Sequence, residues 1–480
     1  MSKDLSLSKL LSKLSRKSYS GSHKKSLFFL IVALIIALIY LNYDQIKVWF
    51  LIRIVVNRGI LAPNCFWYKI SDIFLSDATG INIYNKFKAK YGDFAPLYMF
   101  GNDIFLVTNN DYIKIILDNS PNTFGVGKLK QQFFRSFMEK NVGVSQGCPW
   151  KQRRSMNDHA LNTDVLHIHA TEYNEYIHNY FVKNNWNEKS SFQYDDFVAL
   201  GKFMASKIVF GSDTIYPEAF KIFDEANTTR AYDDNFKLNN KVYLEYSRIL
   251  NHFIEHPADK SLVKQLLEVS NNKEEIFHQI PHFIFPIVGL FITSAPRLLL
   301  LLFNSPENLD KVLKEIGNVR KRDIHKKQYF NGDAIYKLSF LRKCVLETVR
   351  LNNPVITTFR TLLQDYSFPG TNKIFTKGTQ FLILNNPVLR EREFFVDPNV
   401  FNPSRWTPEM EKSYYAISFN QGPQKCPGKE LAIYLIQSFV YNFIATKKIT
   451  VNTDNIHANR ININNVSQII NPCTIKISVN

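Results

Sequence analysis

The stretch that decides the fold is Phe419-Asn-Gln-Gly422-Pro-Gln-Lys-Cys426-Pro-Gly428, directly before the last long helical pattern, Pro427 to Ile444. Gly422 and Gly428 permit backbone shapes or close approaches that a side chain would block. Cys426 is therefore predicted to lie at a helix amino terminus, where the helix dipole and free N–H groups favour a thiolate. Such a thiolate suits an axial ligand to iron, although a lone cysteine is more often a small buried apolar residue.

Two motifs upstream of the cysteine contribute charged residues. Glu347 and Arg350 stand at i, i+3 on a helix predicted for 338–351, so their side chains can meet on one face. Alone, such a pair is usually a solvated helix face. The segment Phe401-Asn-Pro-Ser-Arg405-Trp406 adds an arginine after a turn.

A fourth motif, Trp150-Lys-Gln-Arg-Arg154, puts an indole N–H and a guanidinium about one helical turn apart. These two donors suit a carboxylate.

Taken in order and spacing, these motifs resemble those of the cytochrome P450 superfamily, and the resemblance covers most of residues 63–480. It implies a mainly α fold with minor β structure, in one large helical domain that holds heme b. Cys426 would be the proximal iron ligand and the central catalytic residue. Glu347, Arg350 and Arg405 would form a buried structural charge network. The other implied heme contacts are Trp150, Arg154, Arg360, Phe419, Gly422, Gln424 and Gly428.

The resemblance also implies a separate reductase as electron donor. Lys151, Lys425 and Lys429 would then lie near the proximal surface, where this family docks acidic donors. A merely solvated basic face explains these lysines equally well.

Two departures from the family pattern bear on reaction type. Gln424 stands where the family usually has arginine or histidine, which removes one cation opposite a heme propionate. In the long apolar segment 280–303, the usual acid–alcohol pair falls on Gly289 and Leu290, with Phe291 and Thr293 completing the expected distal pocket. A shift of register would bring Thr293 or Ser294 nearer.

An apolar distal wall without a proton relay resembles family branches that rearrange peroxides or oxygenated lipids. Three functions therefore stay open: a monooxygenase, a hydroperoxide-rearranging or isomerase-type enzyme, and a degenerate heme binder. Phenylalanines at 283, 285 and 291 would suit a lipid-like or sterol-like substrate, although such residues more often belong simply to a protein core.

The composition is that of a folded protein, with 45% hydrophobic residues in 480. Five cysteines without CxxC spacing argue against a disulfide scaffold or a zinc ribbon. The net charge is +17, of which +6 lies in residues 1–25. The remaining charge is spread without a recognition motif, so a nucleic-acid partner is not expected.

The amino-terminal residues predict a membrane protein. A basic tail (1–25) precedes a transmembrane anchor (26–43), an amphipathic linker (44–62) and the catalytic domain (63–480). The expected location is a membrane resembling the endoplasmic reticulum, with a single pass. The positive-inside rule places the domain across the membrane from the tail, and the sequons at Asn227 and Asn465 offer a test by deglycosylation.

A hydrolase is the remaining rival, because Gly143-Val-Ser145-Gln-Gly147 fits the G-x-S-x-G pattern. That motif requires a preceding apolar strand and a following helix. The residues FFRSFMEKN precede the serine motif and Cys148-Pro149 follows it, so the segment is interpreted as a turn that leads into the helix of Trp150.

Overall fold

The structure is a computed structural model that describes residues 80–99, 102–186, 188–189, 191–226, 237–326, 332–445, 449–452 and 475–479. The predicted tail, anchor and linker lie outside these residues, as do both sequons. All described residues belong to one compact unit, Trp67–Asn480.

Helices account for most of the described residues. Their bounds are α1 Ile81–Tyr91, α2 Asn110–Asp118, α3 Lys128–Met138, α4 Gly147–Leu161, α5 Ala170–Lys183, α6 Tyr194–Ala205, α7 Pro217–Ala226, α8 Asn240–Glu255, α9 Leu262–Val269, α10 Lys273–Gln279, α11 Pro281–Phe303, α12 Pro306–Lys326, α13 Gly332–Tyr336, α14 Ser339–Leu351, α15 Asn385–Val388, α16 Pro408–Glu411 and α17 Lys429–Ala445. A π-helical turn, Ser206–Phe210, extends α6.

Three small sheets complete the described structure. The strands are β1 Phe94–Met99, β2 Asn102–Val107, β3 Phe124–Val126, β4 Ser191–Phe192, β5 Thr357–Leu362, β6 Tyr366–Ser367, β7 Ile374–Phe375, β8 Gln380–Leu384, β9 Ile449–Asn452 and β10 Ile475–Val479. The largest sheet has the order β1-β2-β8-β5-β3, with β2 and β8 parallel and its other pairs antiparallel. The mainly α architecture with minor β structure agrees with the expectation from sequence.

Helix α11 runs through the core and packs against α6, α14 and α17. By length and composition alone, the stretch Lys273–Phe303 could cross a membrane. However, 61% of its 18-residue apolar part is buried inside the fold. A helix surrounded by other helices carries apolar residues on every face, because every face is buried. Pro286 and Pro296 lie within α11, and their missing N–H groups remove two of its internal hydrogen bonds.

Several helix boundaries differ from those expected. The sequence pattern from Pro149 predicts a helix that continues to about His169. Helix α4 instead begins at Gly147 and ends at Leu161, because Asn162 adopts a left-handed conformation at φ 48°. The sequence also predicts a capped helix over 306–316, whereas helix α12 continues from Pro306 to Lys326. Helix α17 begins at Lys429, so Pro427 lies before its first turn rather than within it.

Candidate heme-thiolate site

The loop that carries Cys426 closes on itself through backbone hydrogen bonds. The Cys426 N–H donates to the Phe419 carbonyl at 2.8 Å, and the Lys425 N–H donates to the Gly422 carbonyl at 3.0 Å. Asn420 adds a side-chain bond from Nδ2 to the Gln424 carbonyl at 3.2 Å. The loop therefore holds the thiol in a fixed position at the start of α17.

Gly422 fixes this loop against α2. Its φ is +72°, and a Cβ added there would lie 2.4 Å from the Leu117 carbonyl oxygen. The contacted atom is backbone, which cannot rotate away as a flexible side chain can. The sequence expectation that Gly422 serves a close approach is consistent with this geometry.

We expect Gly422→Ala to lower the free energy of unfolding by about 2 kcal/mol more than Gly378→Ala. Gly378 has a comparable φ of +91°, but no atom of the described structure lies within 4 Å of its Cβ position. The pair therefore separates the cost of backbone strain from the cost of the clash. Chemical denaturation of both variants measures the difference, and equal losses would show that the approach to Leu117 is unimportant.

Two side chains from the α4 region hold the carbonyls on either side of Cys426. Arg154 Nη1 donates to the Lys425 carbonyl at 2.6 Å. The Thr163 hydroxyl lies 2.9 Å from the Pro427 carbonyl and 2.8 Å from Asp158 Oδ1. Asp158 also receives Arg154 Nε at 2.7 Å, so the two donors share one carboxylate. Thr163 was not expected from sequence, since nothing local marks its approach to Pro427.

The environment of the Cys426 thiol balances opposing effects. Burial raises its pKa above the ordinary value, while a hydrogen bond from the Gly428 N–H and the charges of Arg154 and Lys429 lower it. The three opposing groups are those that would stabilise a thiolate once a cation bound it. Cys344, in contrast, is fully buried, and burial raises its thiol pKa far above the usual range.

Glu347 is the centre of a buried charge network. Its Oε1 accepts from Arg350 Nη2 at 2.9 Å, from Arg405 Nε at 3.1 Å and from the Asn402 N–H at 3.1 Å. Its Oε2 accepts from Arg350 Nε at 2.8 Å and from Trp406 Nε1 at 2.9 Å. Glu347 and Arg350 are both 0% exposed, which shows that this pair is not a solvated helix face. The indole of Trp406 is a member that the sequence interpretation did not include.

The helix that bears this network is fixed at its amino terminus by α12. Glu315 accepts from the backbone N–H groups of Phe340 and Leu341 at 2.9 and 3.0 Å. A carboxylate at that point satisfies free N–H groups and complements the helix dipole.

Arg360 lies in β5, and only 4% of it is exposed. Its Nε donates to the Ser120 hydroxyl at 2.9 Å and its Nη1 donates to the Phe359 carbonyl at 2.8 Å. Burial lowers its pKa to about 10. Arg154, by comparison, directs Nη1 to carbonyls of the cysteine loop, and Trp150 is half-buried on the same helix. The described structure thus brings Arg154 to the cysteine loop and leaves Arg360 without a carboxylate partner.

The expected distal positions lie on the middle of α11. Gly289 borders open space, since no atom of another described element lies within 4 Å of its Cβ position. Leu290 is half-buried, whereas Phe291 is 1% exposed and packs against Phe439. Thr293 donates from Oγ1 to the Gly289 carbonyl at 2.7 Å. The helix contains no Asp or Glu from Pro281 to Phe303.

The lysines expected on a docking face are partly neutralised. Lys425 pairs with Asp164 at 2.7 Å and Lys429 pairs with Glu411 at 3.0 Å, while Lys151 is exposed. Glu411 also pairs with Arg342 at 2.9 Å. The charge available to a partner is therefore smaller than a count of lysines suggests.

The hydrolase interpretation of Ser145 has no support in the structure. The Ser145 hydroxyl donates to the Asn141 carbonyl at 2.5 Å and accepts from Arg153 Nη1 at 2.7 Å. Arg153 is in turn paired with Glu275. Helix α3 and a short 3-10 turn precede the serine, whereas the motif requires a strand.

The residues present fit a heme. Cys426 is half-buried at the start of α17, with the Gly428 N–H and the charges of Arg154 and Lys429 near its thiol. Gly289 borders open space, and Arg360 is a buried cation without a carboxylate. A flat group with carboxylate substituents would supply what these residues lack.

Comparisons with known proteins agree with this assignment. The family model described as Cytochrome P450 matches residues 292–472. An (21S)-21-acetyl-1-hydroxy-apo-melianone synthase of Melia azedarach is 28% identical over 193 residues, covering 38% of this chain and 39% of that protein. The probable cytochrome P450 6d2 of Drosophila melanogaster is 30% identical over 184 residues, covering 37% of this chain and 35% of that one. The alignments thus span less than half the length of these relatives.

Two solved structures share the fold at 16% sequence identity. P450BioI in complex with hexadec-9Z-enoic acid ligated acyl carrier protein has a TM-score of 0.62, covering 83% of this chain and 98% of that one. Retinoic acid bound cyanobacterial CYP120A1 has a TM-score of 0.65, covering 82% and 94%. The chain therefore shares the fold of these two structures, and its residues 292–472 match the cytochrome P450 family model, a match that includes Glu347, Arg350, Arg405 and Cys426.

Proposed function

We propose that the protein is a membrane-anchored heme-thiolate monooxygenase that acts on a lipophilic, lipid-like or sterol-like, substrate. The observation that carries the proposal is the position of Cys426, held half-buried by a hydrogen-bonded loop and flanked by the Gly428 N–H and the charges of Arg154 and Lys429. Trp150, Arg154 and Arg360 would bind the heme, with Phe419, Gly422, Gln424 and Gly428 forming its proximal bed.

Heme, when bound, supplies the chemistry of oxygen activation. The chain supplies the rest. Gly428, Arg154 and Lys429 stabilise the thiolate, and the network around Glu347 fixes α14 relative to Arg405. The apolar residues of α11 exclude water from the distal side, where the open space at Gly289 can admit an apolar substrate.

The distal wall also supports a second candidate, a hydroperoxide-rearranging or isomerase-type enzyme. Helix α11 offers no carboxylate, and the hydroxyl of Thr293 already donates to the Gly289 carbonyl. A proton relay to the distal side would then need water or a substrate hydroxyl. An enzyme whose substrate brings its own oxygen has no need of that relay.

Turnover under two conditions separates these functions. With a reductase and NADPH, a monooxygenase is expected to couple NADPH oxidation to a product that has gained one oxygen atom. With a lipid hydroperoxide and no NADPH, a rearranging enzyme is expected to convert the substrate to an isomer. Turnover only in the second condition would overturn the monooxygenase proposal. No turnover in either condition with a broad panel of substrates would favour the degenerate heme binder.

A lipid-like substrate, a separate reductase and a single-pass anchor at residues 26–43 belong to the same proposal. Two similar structures contain hexadec-9Z-enoic acid or retinoic acid, which supports an apolar substrate. The apolar run 27–41 behind a basic tail supports the anchor. Deglycosylation at the two sequons tests the side of the membrane on which the domain lies.

A further inference from the structure

Glu411, the last residue of α16, is a carboxylate that none of the sequence motifs includes. Its Oε2 lies 3.0 Å from Lys429 Nζ and 2.9 Å from Arg342 Nη2. Burial opposes the ionisation of Glu411, but the hydrogen bond from Arg342 and the charges of both cations outweigh it and hold the pKa of Glu411 below its ordinary value. The carboxylate is therefore charged at neutral pH.

A second carboxylate completes the set. Arg342 donates from Nη1 to Glu430 Oε2 at 2.7 Å and from Nη2 to Glu430 Oε1 at 3.0 Å. The two cations and two carboxylates form what we call the Glu411 cluster, namely Arg342, Lys429, Glu411 and Glu430. This cluster carries no net charge, and neutralising Glu411 would leave it with one positive charge.

Three cations near Cys426 are each paired with one carboxylate. The pairs are Lys425–Asp164, Arg154–Asp158 and Lys429–Glu411. Their carboxylate side chains are 61%, 39% and 21% exposed in that order. Because water and salt screen exposed charges most strongly, Glu411 is the carboxylate of the three whose charge is screened least.

Lys429 connects the Glu411 cluster to the thiol. It is the first residue of α17 and stands three positions after Cys426. Burial raises the pKa of the Cys426 thiol, and the charge of Lys429 acts against that rise. The ion pair with Glu411 fixes the ammonium group in one place and cancels part of its positive charge. The electrostatic potential at the sulfur therefore depends on Glu411.

A separate contact holds the α16 backbone to the cysteine loop. Gln421 Nε2 donates to the Glu411 carbonyl at 2.9 Å and to the Ser413 carbonyl at 3.1 Å. These bonds use backbone acceptors, so they persist when the Glu411 side chain is changed. A substitution of Glu411 by glutamine thus alters the charge near the sulfur without releasing the loop.

We propose that Glu411 is a positioning residue that holds Lys429 beside Cys426 and thereby sets the reduction potential of the heme iron. This inference rests on the proposed heme-thiolate function. Positive charge near the sulfur stabilises the thiolate and favours the addition of one electron, from a separate donor, to the iron that it binds. By pairing with Lys429, Glu411 makes the iron harder to reduce.

The experiment is a spectroscopic redox titration of the full heme-loaded chain with dithionite and mediator dyes, without reductase or substrate. Glu411→Gln should raise the equilibrium constant for one-electron reduction about 3- to 10-fold, the range expected for one partly screened charge, and a tenfold change is 59 mV. Lys429→Met should lower the constant by a similar factor. The double variant restores a neutral cluster and should return close to the wild type.

Asp164→Asn is the matched control. Its partner Lys425 is adjacent to Cys426 in sequence, but the Asp164 side chain is 61% exposed. The equilibrium constant should therefore change by less than about twofold. The reduced, carbon-monoxide-bound forms of all four variants should keep the red-shifted Soret band, because Cys426 is unchanged.

The iron–sulfur stretching vibration gives a readout that a purely structural role would not produce. A more positive potential at the sulfur reduces its electron donation to the iron. Resonance Raman spectra should therefore show a lower stretching frequency in Glu411→Gln and a higher one in Lys429→Met. Shifts of the same sign in both variants would contradict the proposal.

Two results of the titration would overturn the proposal. An unchanged potential in Glu411→Gln, with the Soret band intact, would show that its charge does not reach the iron. A double variant that shifts as far as Glu411→Gln alone would show that Glu411 does not act through Lys429. If Glu411→Gln fails to fold, an unchanged or raised potential in Lys429→Met is the contradicting result. A wild-type chain without the red-shifted band would instead refute the proposed function, so the two failures are distinguishable.

Discussion

Glu347→Gln is expected to lower the free energy of unfolding by about 3–5 kcal/mol, because it leaves buried cations without their counter-charge. The carboxylate accepts five hydrogen bonds, from Arg350, Arg405, Trp406 and the Asn402 N–H. An amide of the same shape turns one of its two acceptors into a donor and removes the negative charge. Since domains are stable by roughly 5–15 kcal/mol, this loss is a large share of the total.

The chain contains a matched control for that substitution. Glu245 and Arg248 have the same i, i+3 spacing, with a 3.1 Å contact, but their side chains are 42% and 69% exposed. Glu245→Gln should therefore cost no more than about 1 kcal/mol, as for surface pairs in general. Urea denaturation of both variants measures the contrast. Losses of similar size would mean that burial of Glu347 does not make its pairing strong.

Cys426→Ala is expected to abolish the red-shifted Soret band of the reduced, carbon-monoxide-bound protein. That band reports a thiolate on the iron, and alanine offers no axial ligand. The loop itself should persist, since its closing bonds run from the Cys426 and Lys425 N–H groups to backbone carbonyls. A variant that folds and still shows the unchanged band would contradict the assignment of Cys426 as the axial ligand.

Two other described cysteines serve as controls for this spectrum. Cys344 is fully buried on α14, and Cys148 is exposed at the start of α4. Cys344→Ala should lower stability by leaving a small cavity while keeping the red-shifted band. Cys148→Ala should change neither. Loss of the band in either variant, with folding intact, would point to a different ligand.

The sequence predicts those parts of the site that are carried by short, regular motifs. The loop before α17, the pair on α14 and the turn with Arg405 each place a few residues at fixed spacing. Local geometry then determines which side chains can meet. The mainly α fold follows in the same way from long apolar periodicities, since their burial requires helix-on-helix packing.

The parts that the sequence does not predict depend on contacts between distant segments. Trp406 joins Glu347 across 59 positions, and Thr163 reaches Pro427 across 264. The end of α4 also differs from the sequence pattern, because Asn162 ends the helix through a left-handed backbone conformation that its sequence only weakly favours.

We propose that the sulfur of Cys426 is the axial ligand of a heme iron. X-ray absorption at the iron edge of the full chain measures the iron ligands directly. We expect one sulfur scatterer in the first coordination shell of the wild type and its disappearance in Cys426→Ala. An iron surrounded only by nitrogen and oxygen in the wild type, or a sulfur that persists in the variant, would contradict it.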